Sequence, residues 1–221
     1  MATGLRERRK QETRRVISDI ATHLFVTRGY DEVTISQVAA AAGVAKMTVT
    51  NYFPRKEDLV FDRAEGIIRQ LADVIASRAR GESMLDAIRR DYAAAIARAD
   101  VTLGLASPEF ARMVTGSAAL TSRGLEMLYQ RELALAAAIA ADTAADSVTA
   151  HVVAAQLASV HRVLYAEAMQ RSLAGESRAS ICDYLAAAAT PAFDLLEPSL
   201  GSYGIRPAGS AAGPAEAARP A

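Results

Sequence analysis

Residues 34–53 read TISQVAAAAGVAKMTVTNYF, and this stretch decides the fold of the N-terminal part of the chain. Thr34 can cap a helix through its hydroxyl, and Gln37, three residues later, completes a capping box. Apolar residues then recur at helical spacing and form one stripe, namely Ile35, Val38, Ala39 and Ala42. Gly43 follows where the chain has to turn sharply, because glycine takes a positive φ without steric cost. The stretch therefore predicts a short helix, a tight turn and a second helix.

The second of these helices has an apolar back and a polar front. Its apolar back is spaced to face a core and consists of Val44, Val49 and Phe53. Its opposite face carries Lys46, Met47, Thr50 and Asn51, with Thr48 and Tyr52 at the edges. Such a front suits a DNA groove, where hydrogen-bonding side chains meet the base edges. We interpret residues 34–53 as a helix-turn-helix.

The sequence around this stretch resembles the DNA-binding domain of TetR-family transcriptional regulators. Four segments carry the resemblance: FVTRGY at 25–30, TISQVA at 34–39, AGV at 42–44 and NYFPRKEDL at 51–59. These segments match at many positions with fixed offsets, so the resemblance is specific, and it covers roughly the first quarter of the chain. The rest of the chain matches only as a helical pattern.

The sequence departs from the family pattern at three positions. The residue after Gly-Val is usually a serine that caps the recognition helix, whereas Ala45 cannot cap, a loss of about 1 kcal/mol. Met47 stands where a small or basic residue is common, and Thr50 stands where an aromatic residue is common. These departures bear on base preference rather than on the fold.

The helix-turn-helix and the resemblance together name a set of DNA-binding residues. The residues expected at base edges and nearby sugar-phosphates are Lys46, Thr48, Thr50 and Asn51. The residues expected to hold the DNA backbone are Thr34, Tyr52 and Lys56. In the family the lysine that matches Lys56 contacts a DNA phosphate, so the resemblance implies this role; the alternative is a solvated lysine at the start of a helix.

Composition and patterning predict an all-α protein. The 221 residues are 51% hydrophobic but only 5% aromatic, with no Trp, which favours helices packed through Ala, Leu, Val and Ile. No alternating strand pattern flanked by turns occurs in the sequence. We predict an N-terminal arm and three-helix DNA-binding domain at 1–55, and a C-terminal helical effector-binding and dimerisation domain at 56–197. A disordered tail rich in Pro, Gly, Ala and Ser is expected at 198–221.

The helical periodicity also predicts individual elements. Helices are expected at about 10–28, 56–80, 83–99, 121–141, 147–173 and 177–196, with a short one opened by Ser107-Pro108-Glu109. The helix at 56–80 would run from the DNA-binding domain into the body as a continuous mechanical link. Pro191 is expected to kink or break the last helix.

Charge is unevenly distributed, although the formal net charge of the chain is zero. Residues 1–15 carry six basic and two acidic side chains, a net charge of +4, so the remainder carries about −4. The basic arm at 1–9 is either a frayed terminus or a contact to phosphates or the minor groove. The single cysteine, Cys182, the absence of a secretory signal and the short apolar runs predict a soluble cytoplasmic protein with no membrane association.

The body offers candidates for a small-molecule site and for dimerisation. An effector pocket could be lined by Tyr92, Phe110, Met113, Met127, Tyr129 and Tyr165, although core filling is the commoner role for any one such residue. An acidic ligand could be anchored by Arg89, Arg90, His161 and Arg162, which could instead be solvated helix faces. The last two long helices are rich in Ala and Ser, and in the family they form a four-helix dimer interface, so the resemblance implies a homodimer.

Enzymatic and metal-binding functions find no support in the sequence. No Gly-rich phosphate loop, no Gly-x-Ser-x-Gly and no His-Glu-x-x-His motif occurs, and three scattered His with one Cys form no clustered ligand set. We therefore expect no catalytic residues, no metal and no cofactor.

The function expected is that of a repressor that binds a palindromic operator in double-stranded DNA as a dimer and is released by an unknown small-molecule effector. Two alternatives remain. One is an activator or a ligand-independent regulator of the same fold. The other is a helical ligand-binding or interaction protein whose N-terminal domain no longer binds DNA.

Overall fold

The computed structural model describes the backbone of residues 2–207 and the side chains of residues 8–207, and this part of the chain is helical without strands. The α-helices are α1 (Ala2–Arg28), α2 (Ile35–Ala41), α3 (Lys46–Tyr52), α4 (Ala64–Ala76), α5 (Met84–Ala97), α6 (Pro108–Gly116), α7 (Ala118–Thr143), α8 (Ser147–Leu173), α9 (Arg178–Asp194) and α10 (Glu197–Leu200). Single 3₁₀ turns lie at Glu57–Leu59 and Val101–Leu103. The all-α prediction is confirmed. Within residues 2–207, no helix combines the length and the apolar character that a membrane crossing needs.

Two hydrophobic clusters organise the molecule. The head cluster consists of Ile17, Ala21, Leu24, Phe25, Tyr30, Val33, Val38, Ala39, Val49, Phe53, Leu59, Val60 and Leu120. The body cluster is larger and is built from α4, α5, α7, α8, α9 and α10. Because Leu120 belongs to α7, the head cluster is not closed by the N-terminal helices alone. Phe110, Met113 and Val114 of α6 also pack against it.

The helix predicted at 56–80 is divided in two. Its first part is only the 3₁₀ turn at Glu57–Leu59, and α4 begins at Ala64. Leu59 is fully buried in the head cluster, whereas Leu71 is fully buried in the body cluster. Between them the carbonyl of Asp62 accepts a hydrogen bond from Arg14 of α1, 3.4 Å away. The chain therefore leaves one core and enters the other through a break.

The continuous link between head and body is α7. This helix places Leu120 in the head cluster and Leu135 and Ile139 in the body cluster. At 26 residues it is long enough to span both. The sequence indicated a helix here but gave no sign that its first turn belongs to the head.

Two segments near the limits of the described residues differ from the predictions. The structure has α1 begin at Ala2 rather than near Lys10, so the predicted arm is helical from there. Beyond Pro198 the chain stays packed as far as Arg206, whose backbone N–H donates to the Glu82 carbonyl and whose carbonyl accepts from Gly81. Residues 198–206 thus contact the body, within the segment where a disordered tail was expected, and residues 208–221 of that prediction lie outside the described part.

A buried arginine explains why this C-terminal segment is held. Arg78, just after α4, is only 2% exposed, and its Nε donates to the carbonyl of Gly204 at 2.9 Å. Its terminal nitrogens pair with Asp142 on α7. A buried guanidinium needs such acceptors, because an unpaired charge in a protein core is costly. The segment and Asp142 supply them.

Pro191 lies inside α9 without ending it. The helix continues to Asp194, and the N–H of Leu195 donates to the Pro191 carbonyl. Pro191 and Ala187, one turn earlier, are both exposed. The lost backbone hydrogen bond is therefore on the solvent side, where it costs least.

Candidate nucleic-acid interface

The first helix of the helix-turn-helix is held by the predicted capping box. The Thr34 backbone N–H donates to the Gln37 side chain at 2.7 Å, and the Gln37 N–H donates to the Thr34 hydroxyl at 3.3 Å. Val38 and Ala39 are buried in the head cluster, as the apolar stripe indicated. Gly43 has φ = +66°, so the sharp turn uses the left-handed conformation that glycine permits. These local predictions are confirmed.

The recognition helix α3 has the two faces that its sequence indicated. Val49 and Phe53 are fully buried, and Val44 packs against the same cluster. On the other side Lys46, Met47 and Asn51 are exposed, with 69% of the Met47 surface accessible. Thr48, Thr50 and Tyr52 are partly buried, and Thr34 is exposed at the start of α2. Ala45 occupies the N-cap of α3 without a side-chain cap.

The four side chains predicted to meet the bases are not equivalent. The Thr50 hydroxyl donates within its own helix to the carbonyls of Met47 (3.1 Å) and Lys46 (3.4 Å). That hydroxyl keeps its acceptor lone pairs for a base, while its methyl group adds an apolar surface. Lys46 and Asn51 extend from the helix as the exposed polar groups. They are the strongest candidates for direct readout.

Lys56 lies folded against the head rather than in solvent. Its ammonium donates to the carbonyl of Tyr30 and lies 4.2 Å from the centre of the Tyr30 ring. Burial lowers the pKa of Lys56, because a charged amine is less favourable away from water. The phosphate contact stays a prediction, and Lys56 would have to leave this carbonyl to make it.

The side chain of Tyr30 is also held in place, through contacts with α1 and with the 3₁₀ turn at Glu57–Leu59. Its hydroxyl donates to Glu57 at 2.9 Å, and its ring packs edge-on against Phe25. Burial and the adjacent Glu57 carboxylate raise the pKa of Tyr30 above its ordinary range. The side chains of Tyr30 and Lys56 therefore join α1, the loop before α2 and the turn after α3.

Arg14 is a positioning residue that sequence reasoning missed. Its guanidinium donates to the carbonyl of Tyr52 at 2.6 Å and lies 4.4 Å from the centre of the Phe53 ring. It thus satisfies a carbonyl at the C-terminal end of α3, where positive charge is favourable. In the sequence it counted only as one of the basic residues near the N-terminus. Its place on α1, one residue after the polar Thr13 and three before the buried Ile17, gave no specific signal.

Comparisons with known proteins agree with this geometry. The family described as "Bacterial regulatory proteins, tetR family" matches residues 17–62, which include α2, the turn and α3. The N-terminal part of the chain, residues 17–62, is therefore similar to this family.

The chain spans less than half the length of the curated relatives that it matches. It is similar to the HTH-type transcriptional regulator TcmR of Streptomyces glaucescens, with 30% identity over 95 residues, covering 43% of this chain and 42% of that protein. It is also similar to the putative mycofactocin biosynthesis transcriptional regulator MftR of Mycobacterium tuberculosis, with 29% identity over 82 residues, covering 37% and 41% of the two chains.

A solved structure extends the likeness to the whole fold. NalD, the secondary repressor of the MexAB-OprM multidrug efflux pump in Pseudomonas aeruginosa, has a TM-score of 0.51 to this chain at 14% identity. The match covers 84% of this chain and 97% of NalD. At this identity the likeness concerns the fold alone.

The six residues predicted to line an effector pocket do not all pack into one cluster. Tyr92 is buried in the body cluster, whereas Phe110 and Met113 pack against the head. Met113 lines a cleft of about 430 Å³ between α6 and the end of α1. Met127 is buried in α7, Tyr165 is partly buried in α8, and Tyr129 is 62% exposed. Helical spacing indicated that these residues were apolar, but it could not indicate which core each one faces.

Three of the four candidate anchors for an acidic ligand are accounted for otherwise. Arg89 pairs with Asp86, Asp194 and Glu197, Arg90 pairs with Glu82, and Arg162 is exposed on α8. His161, in contrast, is buried in the body. Its partner is Arg131 of α7, which sequence reasoning did not single out. The available signal was that Arg131 lies four residues from both Met127 and Leu135, on the buried stripe of α7.

Proposed function

We propose that this protein is a transcriptional repressor that binds a palindromic operator as a homodimer and is released from DNA by a small-molecule effector. It would act in the cytoplasm, in contact with the DNA that it regulates. The single observation that carries the proposal is α3. It turns Lys46, Met47 and Asn51 outward from a back, Val49 and Phe53, that is fully buried.

The recognition helix is held in position by contacts at its C-terminal end, along its back and in the helix before it, and base readout requires such a fixed position. Arg14 and the head cluster fix its C-terminal end and its back, and the Thr34–Gln37 capping box fixes the helix before it. Side chains held this way can enter the major groove with little further ordering cost, because their backbone is already in place. Lys46 and Asn51 are then assigned to base edges and neighbouring phosphates. Thr48, Thr50, Thr34, Tyr52 and Lys56 would support them at the groove edge and the backbone.

The outer face of α8 supports pairing of two copies. Val148, Val152 and Val163 are 72%, 52% and 49% exposed, and their spacing puts them on one side of this helix. Exposed large apolar residues along one helix favour burial against a partner. A second head would double the contacts and place two copies of α3 in successive major grooves, about 34 Å apart.

Effector release is assigned to α7. Its first turns hold the head through Leu120 and through Arg123, which pairs with Asp58 at 3.0 Å, and its later turns lie in the body. A ligand that shifts α7 in the body would therefore move the head, changing the spacing between the two copies of α3. A coupling free energy of about 1–3 kcal/mol would change DNA affinity about 5- to 150-fold.

The test begins with genomic fragments retained by the purified protein, followed by titration of the enriched duplex and of a scrambled duplex at several salt concentrations. We expect specific affinity to fall about tenfold or more in Asn51→Ala and in Lys46→Ala, because each loses a contact at the base edges or adjacent phosphates. Arg178→Ala, which removes an exposed charge at the start of α9, is the matched control and should bind like wild type. Selective binding that survives the Lys46→Ala, Thr50→Ala and Asn51→Ala changes together would contradict the proposal.

A reporter under the enriched operator separates repression from activation. Expression should rise when the gene is removed, if the protein represses. Expression that falls instead would assign an activator of the same fold. Absence of any selective duplex binding would favour the helical interaction protein.

A further inference from the structure

A small group of donors is buried in the body between α5, α7 and α8. Arg131 of α7 is 8% exposed, His161 of α8 is 5% exposed and Tyr92 of α5 is 2% exposed. One terminal nitrogen of Arg131 lies 3.1 Å from Nδ1 of His161. The rings of Tyr92 and His161 meet edge to face, with centres 4.9 Å apart. The three side chains thus form one contiguous polar cluster inside the apolar core.

The hydrogen bond fixes the state of the histidine. Arginine can only donate, so Nδ1 of His161 must be the acceptor. Burial and the neighbouring guanidinium lower the pKa of His161 well below its ordinary value, so the ring is neutral. Its single proton therefore resides on Nε2. That N–H is buried and has no hydrogen-bond partner.

The same holds for two more donors in the cluster. Nε of Arg131 and the hydroxyl of Tyr92 are buried without a partner. Three N–H or O–H groups therefore lack an acceptor, each at a cost comparable to a lost hydrogen bond. A missing acceptor, rather than a missing donor, is the common feature of the cluster.

Arg131 also differs from the other described arginines whose Nε is buried without a partner. These are Arg89 and Arg171, and the terminal nitrogens of both pair with carboxylates. Among the described residues no carboxylate lies within 4 Å of the Arg131 guanidinium. Its nearest acidic neighbour is reached through Gln70, whose amide contacts Arg131 at 3.5 Å and Asp91 at 2.9 Å. Arg131 is thus a buried cation without a direct counter-ion.

The cation is retained despite its burial. Desolvation lowers the pKa of Arg131 to about 10, so the side chain is still protonated at neutral pH. A guanidinium presents a planar fork of donors that matches the two oxygens of a carboxylate. An anion at this cluster would supply the charge and the acceptor atoms that the protein leaves out.

The surroundings of the cluster are apolar. Arg131 lies one turn from Met127 and Leu135 on α7, and His161 lies one turn from Leu157 and Leu164 on α8, all of them buried. Phe193 of α9 packs against the rings of both Tyr92 and His161. A ligand held here by its charged end would meet hydrocarbon with the rest of its surface.

We propose that Arg131, His161 and Tyr92 form the anchor for the effector, and that the effector is an apolar small molecule bearing a carboxylate. This inference rests on the proposed function and names the chemical class of its ligand. The anchor lies on α7, eight residues beyond Arg123, so it occupies the helix that joins body and head. Ligand binding at Arg131 would act on that helix directly.

Binding is tested with purified full-length protein and a panel of monocarboxylates from butanoate to dodecanoate, together with benzoate and 2-naphthoate. Each acid is paired with its primary amide, which has nearly the same shape but no charge. We expect at least one acid to raise the melting temperature and to bind in calorimetry, and its amide to bind at least about tenfold more weakly. Amides that bind as well as the acids would overturn the proposal, as would a panel in which no acid binds.

Variants locate the site. Arg131→Gln should weaken acid binding about tenfold or more, and Tyr92→Phe, which keeps the ring and removes one donor, should weaken it several-fold. Arg162→Gln removes an exposed charge beside His161 on the same helix and should bind like wild type. Circular dichroism checks that each variant is folded, and Tyr92→Phe decides the matter if Arg131→Gln fails to fold. Undiminished acid binding in Tyr92→Phe and Arg131→Gln would place the site elsewhere and overturn the assignment.

Operator binding keeps this inference separate from the proposed function. The acid that binds should lower the affinity for the enriched duplex in wild type but not in Arg131→Gln, while both proteins bind that duplex equally without acid. Operator binding with no response to any acid would overturn the anchor and leave the repressor standing. Acid binding through Arg131 without any selective duplex binding would overturn the repressor and leave the carboxylate site standing.

Discussion

At the scale of the residue, Ala45 has the backbone conformation of a helix N-cap, but its side chain has no oxygen atom that could cap the helix. Its φ of −69° and ψ of 148° are those of a helix N-cap, and its carbonyl accepts from Thr48 at 2.9 Å. No side-chain oxygen is present to accept from the first N–H groups of α3. The recognition helix therefore begins with unsatisfied donors that only water or DNA phosphates can meet.

Ala45→Ser should therefore stabilise the protein. A serine hydroxyl at this N-cap contributes about 1 kcal/mol, which corresponds to a rise in melting temperature of about 2–4 °C for a chain of this size. Thermal unfolding followed by circular dichroism measures it. Ala40→Ser is the matched control, because Ala40 is exposed within α2 and offers no cap. An equal or larger gain in Ala40→Ser would contradict this account of α3.

The sequence predicted the roles of some residues but not of others. The Thr34–Gln37 box, Gly43 and the two faces of α3 follow from local spacing, and the structure has them all. Arg14, Arg131 and the folded-in Lys56 depend on what lies opposite in three dimensions. A local sequence pattern does not contain that information. The sequence around a helical arginine does not show whether its side chain will contact a distant carbonyl or solvent.

At the scale of the element, helix boundaries were set by contacts between distant parts of the chain. The bounds of α8 are those expected from its sequence, since an Asp146 side chain caps its first turn at 2.9 and 3.1 Å. The break before α4 was not predicted; it lies where the chain passes from the head cluster to the body cluster and where Arg14 contacts the Asp62 carbonyl. The close packing of the 3₁₀ turn at Val101–Leu103 against α8 was equally invisible in the sequence.

Gly104 at the end of that turn should not tolerate a side chain. Its φ is +92°, and a Cβ there would lie 2.9 Å from the Tyr165 carbonyl oxygen and 3.1 Å from Ala168. Gly104→Ala should lower the free energy of unfolding by more than the approximately 1–2 kcal/mol that positive φ alone costs. Urea unfolding gives the value.

Gly81→Ala provides the matched control for this substitution. Gly81 has φ = +80°, but nothing lies within 4 Å of the position that an alanine methyl group would occupy there. It should show the backbone cost alone, and the difference between the two variants measures the contact with α8. Equal losses in the two variants would argue against a close approach at Gly104.

At the scale of the whole molecule, ion pairs join the turn after the recognition helix to α7. Asp58 accepts from Arg123 at 3.0 Å, and Arg123 and Arg55 both contact Glu126. Asp58 also accepts from the backbone N–H of Arg55 at 3.2 Å. The side chains of Asp58 and Arg123 are only 14% and 13% exposed, so solvent screens their attraction less than that of a surface pair.

A double-mutant cycle on Asp58→Ala and Arg123→Ala measures this connection. We expect a coupling free energy of about 1–2 kcal/mol in unfolding, because the two groups are in direct contact and shielded. The double variant should also transmit less of the effector response to operator affinity. The exposed pair Glu65–Arg69 on α4, at 3.1 Å, is the control cycle and should give about 0.3–0.5 kcal/mol. If the coupling free energy of Asp58–Arg123 is no larger than that of the control pair, this ion pair does not contribute to the connection between α7 and the turn after α3.

The composition of the head cluster matters for any attempt to transplant the helix-turn-helix into another protein. Leu120 is fully buried in this cluster, and Phe110, Met113 and Val114 cover it, although all four follow the helix-turn-helix by more than fifty residues. A chimera that exchanges residues 1–62 at a single crossover would face a foreign surface where these side chains belong. A graft that preserves this cluster has to include two separate segments of the chain. Exchanging one continuous N-terminal segment of the gene would therefore not transfer the complete hydrophobic core.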